Sequence, residues 1–218
     1  MASEGGLRER KKAETRQLIA DTAWQLFADR GFDHVTVGDV ARRSQVAEKT
    51  VFNYFPTKHD LFFSRLDAFG GQLVEAIDER QPGETVLVAF QRFLLERRGL
   101  LTGVARDAHA RDRLKMVNRV IAESPALRSR ELQAISNCAD ALALHIAAET
   151  CAGRTDPRPR VVANALMGVH RTLIDHVRER VLADDRLEQL AADVRKLGDS
   201  AFGLLEHGIG AYAPKPSA

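Results

Sequence analysis

The sequence predicts an all-α protein, because apolar residues recur at helical spacing in nearly every segment. In the first segment Ile19, Ala23, Leu26 and Phe27 fall at i, i+4, i+7 and i+8, and Gly31 follows where a helix-ending glycine belongs. Few segments show the alternation of apolar and polar residues that is typical of a β-strand. We therefore expect about nine helices and no strand.

Capping signals mark where several of these helices begin. Thr36-Val-Gly-Asp39, Thr57-Lys-His-Asp60 and Asp185-Arg-Leu-Glu188 have the spacing of a capping box. Ser124-Pro125 has the form of an N-cap followed by a first-turn proline. After the first helix, the signals predict helices over residues 36–43, 48–55, 58–80, 84–97, 106–123, 125–151, 159–182 and 186–207.

The segment 84–97 is ambiguous, because Thr85-Val-Leu-Val could form a strand. The spacing of Val86, Phe90, Phe93 and Leu94 fits a helix better. A break is expected at residues 99–103. We predict a DNA-binding domain with a basic arm over residues 1–60, a ligand-binding and dimerisation domain over 61–210, and a disordered tail over 211–218.

Composition narrows the class of protein. The chain has 218 residues, of which 44% are hydrophobic and 28% charged, which is typical of a globular protein. The net charge is only +2, but residues 7–16 hold five basic and two acidic side chains. Such an arm is either a solvated terminus or, beside a DNA-reading motif, a phosphate contact.

Other classes find little support in the sequence. Cys138 and Cys151 would lie about 20 Å apart on one helix, too far for a disulfide. We find no signal peptide, no membrane-spanning run and no motif of a metalloprotease, nucleotide-binding enzyme or serine hydrolase. We therefore expect a cytoplasmic protein that is not an enzyme and needs neither a metal nor another cofactor.

Residues 36–55 fit a helix-turn-helix, in which the second helix has an apolar inner side and a polar outer side. Val46, Val51 and Phe55 can face inward. The outer side then offers side chains that can read bases in a major groove, namely Glu48, Lys49, Thr50 and Asn53. Tyr54, Lys58 and the helix N-terminus at Thr36 suit phosphate.

The string from Thr36 to Leu61, with the preceding Leu26-Phe-Ala-Asp-Arg-Gly-Phe32, resembles the N-terminal signature of the TetR family of bacterial regulators. The resemblance covers roughly residues 13–62, and the rest of the chain shares only the helix count. It implies a homodimeric repressor that binds a palindromic operator on double-stranded DNA and is released by a small molecule. The DNA-binding residues that we predict are Arg16, Thr36, Arg42, Glu48, Lys49, Thr50, Asn53, Tyr54 and Lys58.

The sequence departs from the family pattern at two positions. Gln45 stands where glycine is common in the inter-helix turn, and a positive φ there would cost on the order of 1 kcal/mol. Ala47 stands where the second helix usually has a Ser or Thr N-cap, which loses about 1 kcal/mol. We expect both either to make the motif less rigid or to give its turn a slightly different geometry, without removing it.

The last two helices carry apolar seams that suit a four-helix dimer interface, as the resemblance also implies. The interface residues that we predict are Val162, Leu166, Val169, Leu173, Val177, Leu187, Leu190, Val194, Leu197, Ala201 and Leu204. These seams could instead pack only within their own subunit.

A pocket for a largely apolar effector is predicted in the middle helices, although each of these residues, taken alone, is more often plain core than the wall of a ligand site. Its candidate lining is Phe62, Phe69, Phe90, Phe93, Met116, Ile121, Leu142, His145, Asn164, Met167 and His170. Two alternatives remain at this point. One is an activator or ligand-independent regulator with the same DNA-binding fold, and the other, more distant, is a helical enzyme or carrier without DNA binding.

Overall fold

The computed structural model describes residues 4–97 and 108–208. These residues form nine α-helices and one π-helical turn, with no strand among them, so the all-α prediction is confirmed. The helices are α1 (Glu4–Arg30), α2 (Val37–Arg43), α3 (Glu48–Tyr54), α4 (Lys58–Asp78), α5 (Val86–Arg92), α6 (Ala108–Glu123), α7 (Pro125–Glu149), α8 (Arg158–Leu182) and α9 (Leu187–Glu206). The predicted break at 99–103 and the predicted tail at 211–218 lie outside the described residues.

The chain divides into two compact units. The first contains residues up to Ala68 together with Arg119–Glu131, and the second contains Phe69–Asn118 and the residues from Leu132 onward. α4, α6 and α7 each contribute to both units. The predicted functional division between residues 60 and 61 stays a prediction, since it concerns roles rather than contacts.

Two capping boxes organise the first unit. The Thr36 hydroxyl accepts a hydrogen bond from the Asp39 amide at 3.1 Å, and the Thr36 amide donates to the Asp39 carboxylate at 2.9 Å. Thr57 and Asp60 repeat this arrangement at 3.1 and 3.0 Å at the start of α4. Each box satisfies two amides that a helix start leaves without partners, so the sequence pattern here determines where α2 and α4 begin.

The core of the first unit is aromatic. Phe62 is fully buried, stacks on Trp24 at 5.4 Å and lies near Phe27, Phe32 and Phe63 at 6.1, 5.2 and 5.3 Å between ring centres. These rings join α1, the segment after it and α4. The cluster gives the short helices α2 and α3 a rigid surface on which to pack.

The second unit has an aliphatic core with aromatic additions. Leu73, Phe90, Leu142, Leu166 and Leu190 are buried in it, and α8 packs against α9 along much of its length. α5 ends in a π-helical turn at Phe93–Arg97, so residues 86–97 are helical and the alternative of a strand is ruled out. No helix of the described ranges is both long and apolar enough to cross a bilayer.

The third capping prediction is wrong. α9 begins after Arg186, whose side chain makes no cap, and the Asp185 carboxylate instead pairs with the Arg180 guanidinium in α8. A charged partner within reach therefore outcompetes the backbone amides for this carboxylate.

Candidate nucleic-acid interface

The turn between α2 and α3 is tight and contains backbone strain. The Val46 amide donates to the Ala41 carbonyl at 3.0 Å, and the Gln45 amide donates to the Arg42 carbonyl at 3.2 Å. Closing the turn in this way puts Gln45 at φ 56°, in the left-handed region that favours glycine. Gln45 therefore has the positive φ that the sequence analysis considered. Its backbone is strained, because a residue with a side chain is disfavoured in this region.

α3 has the two sides that the sequence predicts. Val51 and Phe55 are 0% and 1% exposed, so they hold the helix on the core of the first unit. Lys49 and Asn53 are exposed on the opposite side, because residues two positions from Val51 lie about 200° around a helix. Thr50 is half-buried, on the flank between these sides.

The first turn of α3 lacks a side-chain cap. Ala47 occupies the N-cap position with extended backbone angles and makes no side-chain hydrogen bond to the helix. The amides at the start of the helix are consequently left to water or to a ligand. This confirms the second departure from the family pattern.

Glu48 lies against α2. A Cβ atom added at Gly38 would lie 2.6 Å from a Glu48 carboxylate oxygen, so the glycine leaves the space that this side chain uses. Although Glu48 is exposed overall, its carboxylate is thus directed at the neighbouring helix. Its predicted contact with a base stays a prediction, and the geometry favours a role in joining α2 to α3.

The Thr36 cap also fixes an acidic side chain. The hydrogen bonds from Thr36, followed by one from Arg42, lower the pKa of Asp39 to about 2. Arg42, which we predict to contact DNA, forms a salt bridge with Asp39. Its side chain nevertheless stays 77% exposed. It can still contact phosphate, but part of its charge is offset by Asp39.

Two predicted phosphate contacts rest on aromatic rings. The Arg16 guanidinium lies 4.7 Å from the centre of the Phe55 ring, and the Lys58 ammonium lies 4.2 Å from the centre of the Phe32 ring. Partial burial lowers the pKa of Lys58 from its ordinary value. These cation–π contacts restrict both long side chains before any DNA is bound.

One residue of this surface escaped the sequence analysis. Phe52 in α3 is 46% exposed, although it is a large apolar side chain. The sequence analysis predicts base contacts only for polar side chains and assigns no role to Phe52. Its position one residue after Val51, away from the inward-facing pair, is the signal that could have identified it.

Comparison with known proteins agrees with this geometry. Residues 19–64 match the family model of bacterial regulatory proteins of the tetR family, and residues 97–209 match the model of the MftR C-terminal domain. The chain is 30% identical over 202 residues to the HTH-type transcriptional regulator TcmR of Streptomyces glaucescens, covering 89% of this chain and 86% of TcmR. The chain belongs to the TetR family.

A further relative is similar in sequence, and a solved structure is similar in fold. The mycofactocin biosynthesis transcriptional regulator MftR of Mycobacterium tuberculosis is 28% identical over 174 residues, which cover 77% of this chain and 81% of MftR. The structure of NalD from Pseudomonas aeruginosa, the secondary repressor of a multidrug efflux pump, has a TM-score of 0.53 at 23% identity, covering 88% of this chain and 96% of NalD. The chain is therefore a DNA-binding transcriptional regulator of the TetR family.

In this TetR-family chain, the second unit holds a buried aromatic group around a histidine. The His170 imidazole stacks on the Phe69 ring at 4.6 Å with 9° between the planes, and Phe69 lies 5.4 Å from Phe93. His170 is 2% exposed, and its Nδ1 has no hydrogen-bond partner among the described residues. Burial lowers the pKa of His170 to about 4, so the ring is neutral at pH 7.

The other predicted pocket residues are more dispersed. Phe90, Leu142 and Met167 are buried in the second unit, and Met116 is half-buried in its part of α6. Phe62 and Ile121 belong to the first unit, where Phe62 forms part of the aromatic cluster. Asn164 is exposed on α8, because it lies on the side away from the core.

His145 lies in a polar group with two acidic residues. Ligand atoms of Asp78, His145 and Glu149 are all within 4.8 Å of one another, a grouping that could hold a metal. Both carboxylate oxygens of Glu149 already accept hydrogen bonds of 2.8 Å from Arg80, and Asp78 is exposed. We assign no metal to this group, and the expected lack of a metal stays a prediction.

The predicted dimer seam proves to be mostly internal. Six of its side chains are buried in the core of their own chain, namely Leu166, Val169, Leu173, Val177, Leu190 and Val194. Leu197 and Ala201 are half-buried, Val162 and Leu204 are exposed, and the side chain of Leu187 lies outside the described part. α8 and α9 thus pack on each other through this seam, and its part in a dimer interface stays a prediction.

Proposed function

We propose that this TetR-family regulator is a homodimeric cytoplasmic repressor that binds a palindromic operator and is released by a small, largely apolar effector. Regulators of this family bind DNA as dimers with small-molecule effectors. The observation that carries the proposal is the arrangement of α3. Two buried side chains fix its inner side, while Lys49 and Asn53 stand on its exposed outer side.

Base readout is assigned to Lys49 and Asn53. A lysine can reach the O6 and N7 atoms of guanine, and an asparagine can hydrogen-bond to adenine through N6 and N7. Glu48 and Thr50 flank them and contribute less, because Glu48 is directed at α2 and Thr50 is half-buried. The half-site therefore includes a guanine and an adenine, which lie about two base pairs apart because Lys49 and Asn53 are separated by about 6 Å along the helix axis.

Phosphate binding is assigned to residues around α3. Arg16 and Lys58 are cations already held against Phe55 and Phe32, so they lose little conformational freedom on binding. Tyr54 and the start of α2 at Thr36 add hydrogen bonds, and Arg42 adds a further positive charge. These contacts place the helix in the groove but carry no sequence information themselves.

Dimerisation is assigned to the exposed sides of α8 and α9. The exposed apolar and small residues there are Val161, Val162, Gly168, Thr172 and Leu182 in α8 and Ala192, Ser200 and Leu204 in α9. Small side chains allow helices to approach closely, and exposed aliphatic side chains gain free energy when covered. A two-fold dimer would place its two copies of α3 about 34–36 Å apart, in successive major grooves.

Effector binding is assigned to the region around His170. The neutral imidazole offers one hydrogen-bond donor and one acceptor, and its Nδ1 lacks a partner in the described part of the chain. Phe69 and Phe93 supply apolar surface beside it. A ligand that suits this group is largely apolar with one uncharged hydrogen-bonding group.

Release follows from a shift between two dimer conformations. The free dimer favours the spacing of α3 that matches DNA, and the effector binds better to another spacing. A hundredfold loss of operator affinity requires about 2.7 kcal/mol of differential binding between the two states. Because the effect is reciprocal, operator DNA should weaken effector binding by the same factor.

The test begins with selection of bound sequences from random DNA by the full-length protein. We expect a palindrome, and binding that weakens with salt with a logarithmic slope of about −4 or steeper, since two cations per subunit contact phosphate. Effectors are then screened by release of this DNA, with His170→Phe as the variant that loses the polar group. Absence of a palindrome would contradict the proposal, and binding that no ligand alters would favour a ligand-independent regulator.

A further inference from the structure

Glu48 and Gly38 lie against each other across the helix-turn-helix. Glu48 is the first residue of α3, and Gly38 is the second residue of α2. A Cβ atom on Gly38 would lie 2.6 Å from Glu48 Oε1 and 3.4 Å from Glu48 Cδ. The carboxylate of Glu48 therefore occupies the space that a side chain at position 38 would need.

The backbone itself does not require glycine at this position. Gly38 lies inside α2 and does not have the positive φ that favours glycine. Glycine weakens a helix interior relative to alanine, and α2 has only seven residues. The room that Gly38 leaves for Glu48 is therefore the feature that offsets a less stable α2.

The first turn of α3 needs such a contact, because its other restraints are weak. Ala47 at the N-cap makes no side-chain hydrogen bond to the helix, and Gln45 in the turn has a strained φ of 56°. The buried anchors of α3 are Val51 and Phe55, which lie three and seven positions after Glu48. A contact at Glu48 thus restrains the end of the helix that these anchors do not reach.

The chemistry of the contact suits this purpose. A carboxylate is stabilised beside the first turn of a helix, where backbone amides lack partners within the helix. Lys49 and Asn53 are both exposed on the outer side of α3, so any tilt of this short helix moves both of them. Recognition requires side chains to be held within about 0.5 Å and 10–20° of their binding geometry.

We infer that Glu48 is a positioning residue for operator recognition: seated against Gly38, it sets the orientation of α3 relative to α2 and so places Lys49 and Asn53. This inference rests on the proposed function, because it concerns how α3 presents its base-reading side chains. Loss of a base contact removes the preference at one base pair. Loss of positioning instead weakens the preference at every base pair that α3 reads.

The experiment is a double-mutant cycle in the full-length protein, with Gly38→Ala, Glu48→Ala and the two combined. Operator preference is the affinity for the operator selected by wild type relative to random DNA. Gly38→Ala should lower it about tenfold, because the added methyl group displaces the carboxylate of Glu48. In the Glu48→Ala background the same substitution should have no effect. Gly71→Ala is the matched control, since a Cβ there meets nothing within 4 Å in a helix of similar exposure.

A second readout distinguishes positioning from direct base reading. Selection from random DNA by Glu48→Ala should give a palindrome whose preference is weaker at the bases assigned to both Lys49 and Asn53. A loss confined to a single base pair would show that Glu48 reads a base, and the inference would be overturned. Full operator preference in Gly38→Ala, or an equal loss with and without Glu48, would overturn it as well.

Two controls separate this inference from other causes. Urea unfolding should show Gly38→Ala at least as stable as wild type, because alanine favours a helix more than glycine does. A loss of operator preference in that variant therefore cannot come from unfolding. If wild-type protein selects no palindrome, the proposed function fails and the inference fails with it, whereas a wild-type palindrome with an additive cycle overturns the inference alone.

Discussion

Arg16, in the middle of α1, lies with its guanidinium 4.7 Å from the centre of the ring of Phe55, the residue that follows α3. The ring is buried and the guanidinium side is exposed. A cation of α1 is thereby held next to α3, the helix to which we assign base reading. Phe55 thus serves two purposes, since it also fixes the inner side of α3.

This contact predicts a specific loss in Arg16→Ala. Operator affinity should fall about tenfold or more, and the salt slope should become shallower by about two for the dimer, because one phosphate contact per subunit is lost. The loss should be similar for specific and random DNA. Arg154→Ala, which removes an exposed cation from the loop between α7 and α8, should leave both quantities unchanged. An unchanged slope in Arg16→Ala would contradict the assignment of Arg16 to phosphate.

Gln45→Gly should stabilise the protein. The φ of 56° costs a side chain on the order of 1 kcal/mol, and glycine removes this cost. Urea unfolding followed by circular dichroism should show a higher midpoint. Gln25→Gly, at an exposed position inside α1, should lower the midpoint because glycine weakens a helix interior. Equal destabilisation by both substitutions would show that the turn is not strained.

Ala47→Ser should supply the missing N-cap of α3. The backbone at Ala47 is already extended, as an N-cap requires, so the hydroxyl can accept a hydrogen bond from the start of the helix. We expect a gain of about 1 kcal/mol in unfolding free energy. Ala47→Val, which adds bulk without an acceptor, should give no such gain. If serine and valine behave alike, the first turn of α3 does not depend on a cap.

His170 should make stability depend on pH. Its pKa is lowered to about 4 by burial in the folded protein, against about 6.5 for a free histidine. Between these values the unfolded chain binds the extra proton, so the free energy of unfolding should fall as the pH is lowered from 7 towards 4. The total loss from this group is at most about 3 kcal/mol.

The measurement is urea unfolding at pH 7 and pH 4.5 for wild type and His170→Phe. The difference in unfolding free energy between the two pH values should be smaller in His170→Phe, since a phenyl ring cannot take up a proton. An identical pH dependence in both proteins would show that His170 does not titrate in this way.

Dimerisation can be tested at Gly168. A Cβ added there meets nothing within 4 Å, so Gly168→Arg should fold, yet it places a charged side chain on the exposed side of α8. We expect a monomer by light scattering after gel filtration. Gly71→Arg is the matched control, since Gly71 is exposed in α4 and equally open. A dimer that survives Gly168→Arg would move the interface elsewhere.

Much of the fold could be predicted because its signals are local. The boxes at Thr36–Asp39 and Thr57–Asp60 form as expected, and helical spacing identified α1 and α3 with their inward residues. The capping prediction at Asp185 failed because Arg180, five residues earlier at the end of α8, binds its carboxylate. A capping pattern cannot reveal such a competitor.

The sequence was less informative about which element or subunit covers each apolar helix face. The seam containing Leu173 and Leu190 correctly indicated helix packing, but spacing alone does not distinguish a neighbour in the same chain from one in a second chain. Phe52 was missed because base reading was associated with polar side chains. The stacking of His170 on Phe69 depends on two residues about a hundred positions apart, which only the folded chain brings together.

The central claim is that Lys49 and Asn53 read the operator. It is tested most directly by the affinity of the double variant Lys49→Ala/Asn53→Ala for the selected operator and for random DNA of equal length at one salt concentration. Loss of two base contacts should cost about 1–3 kcal/mol each per half-site, so the preference for the operator should fall at least a hundredfold while binding to random DNA falls far less. A double variant that keeps its preference for the operator would contradict the assignment of α3 as the reading helix.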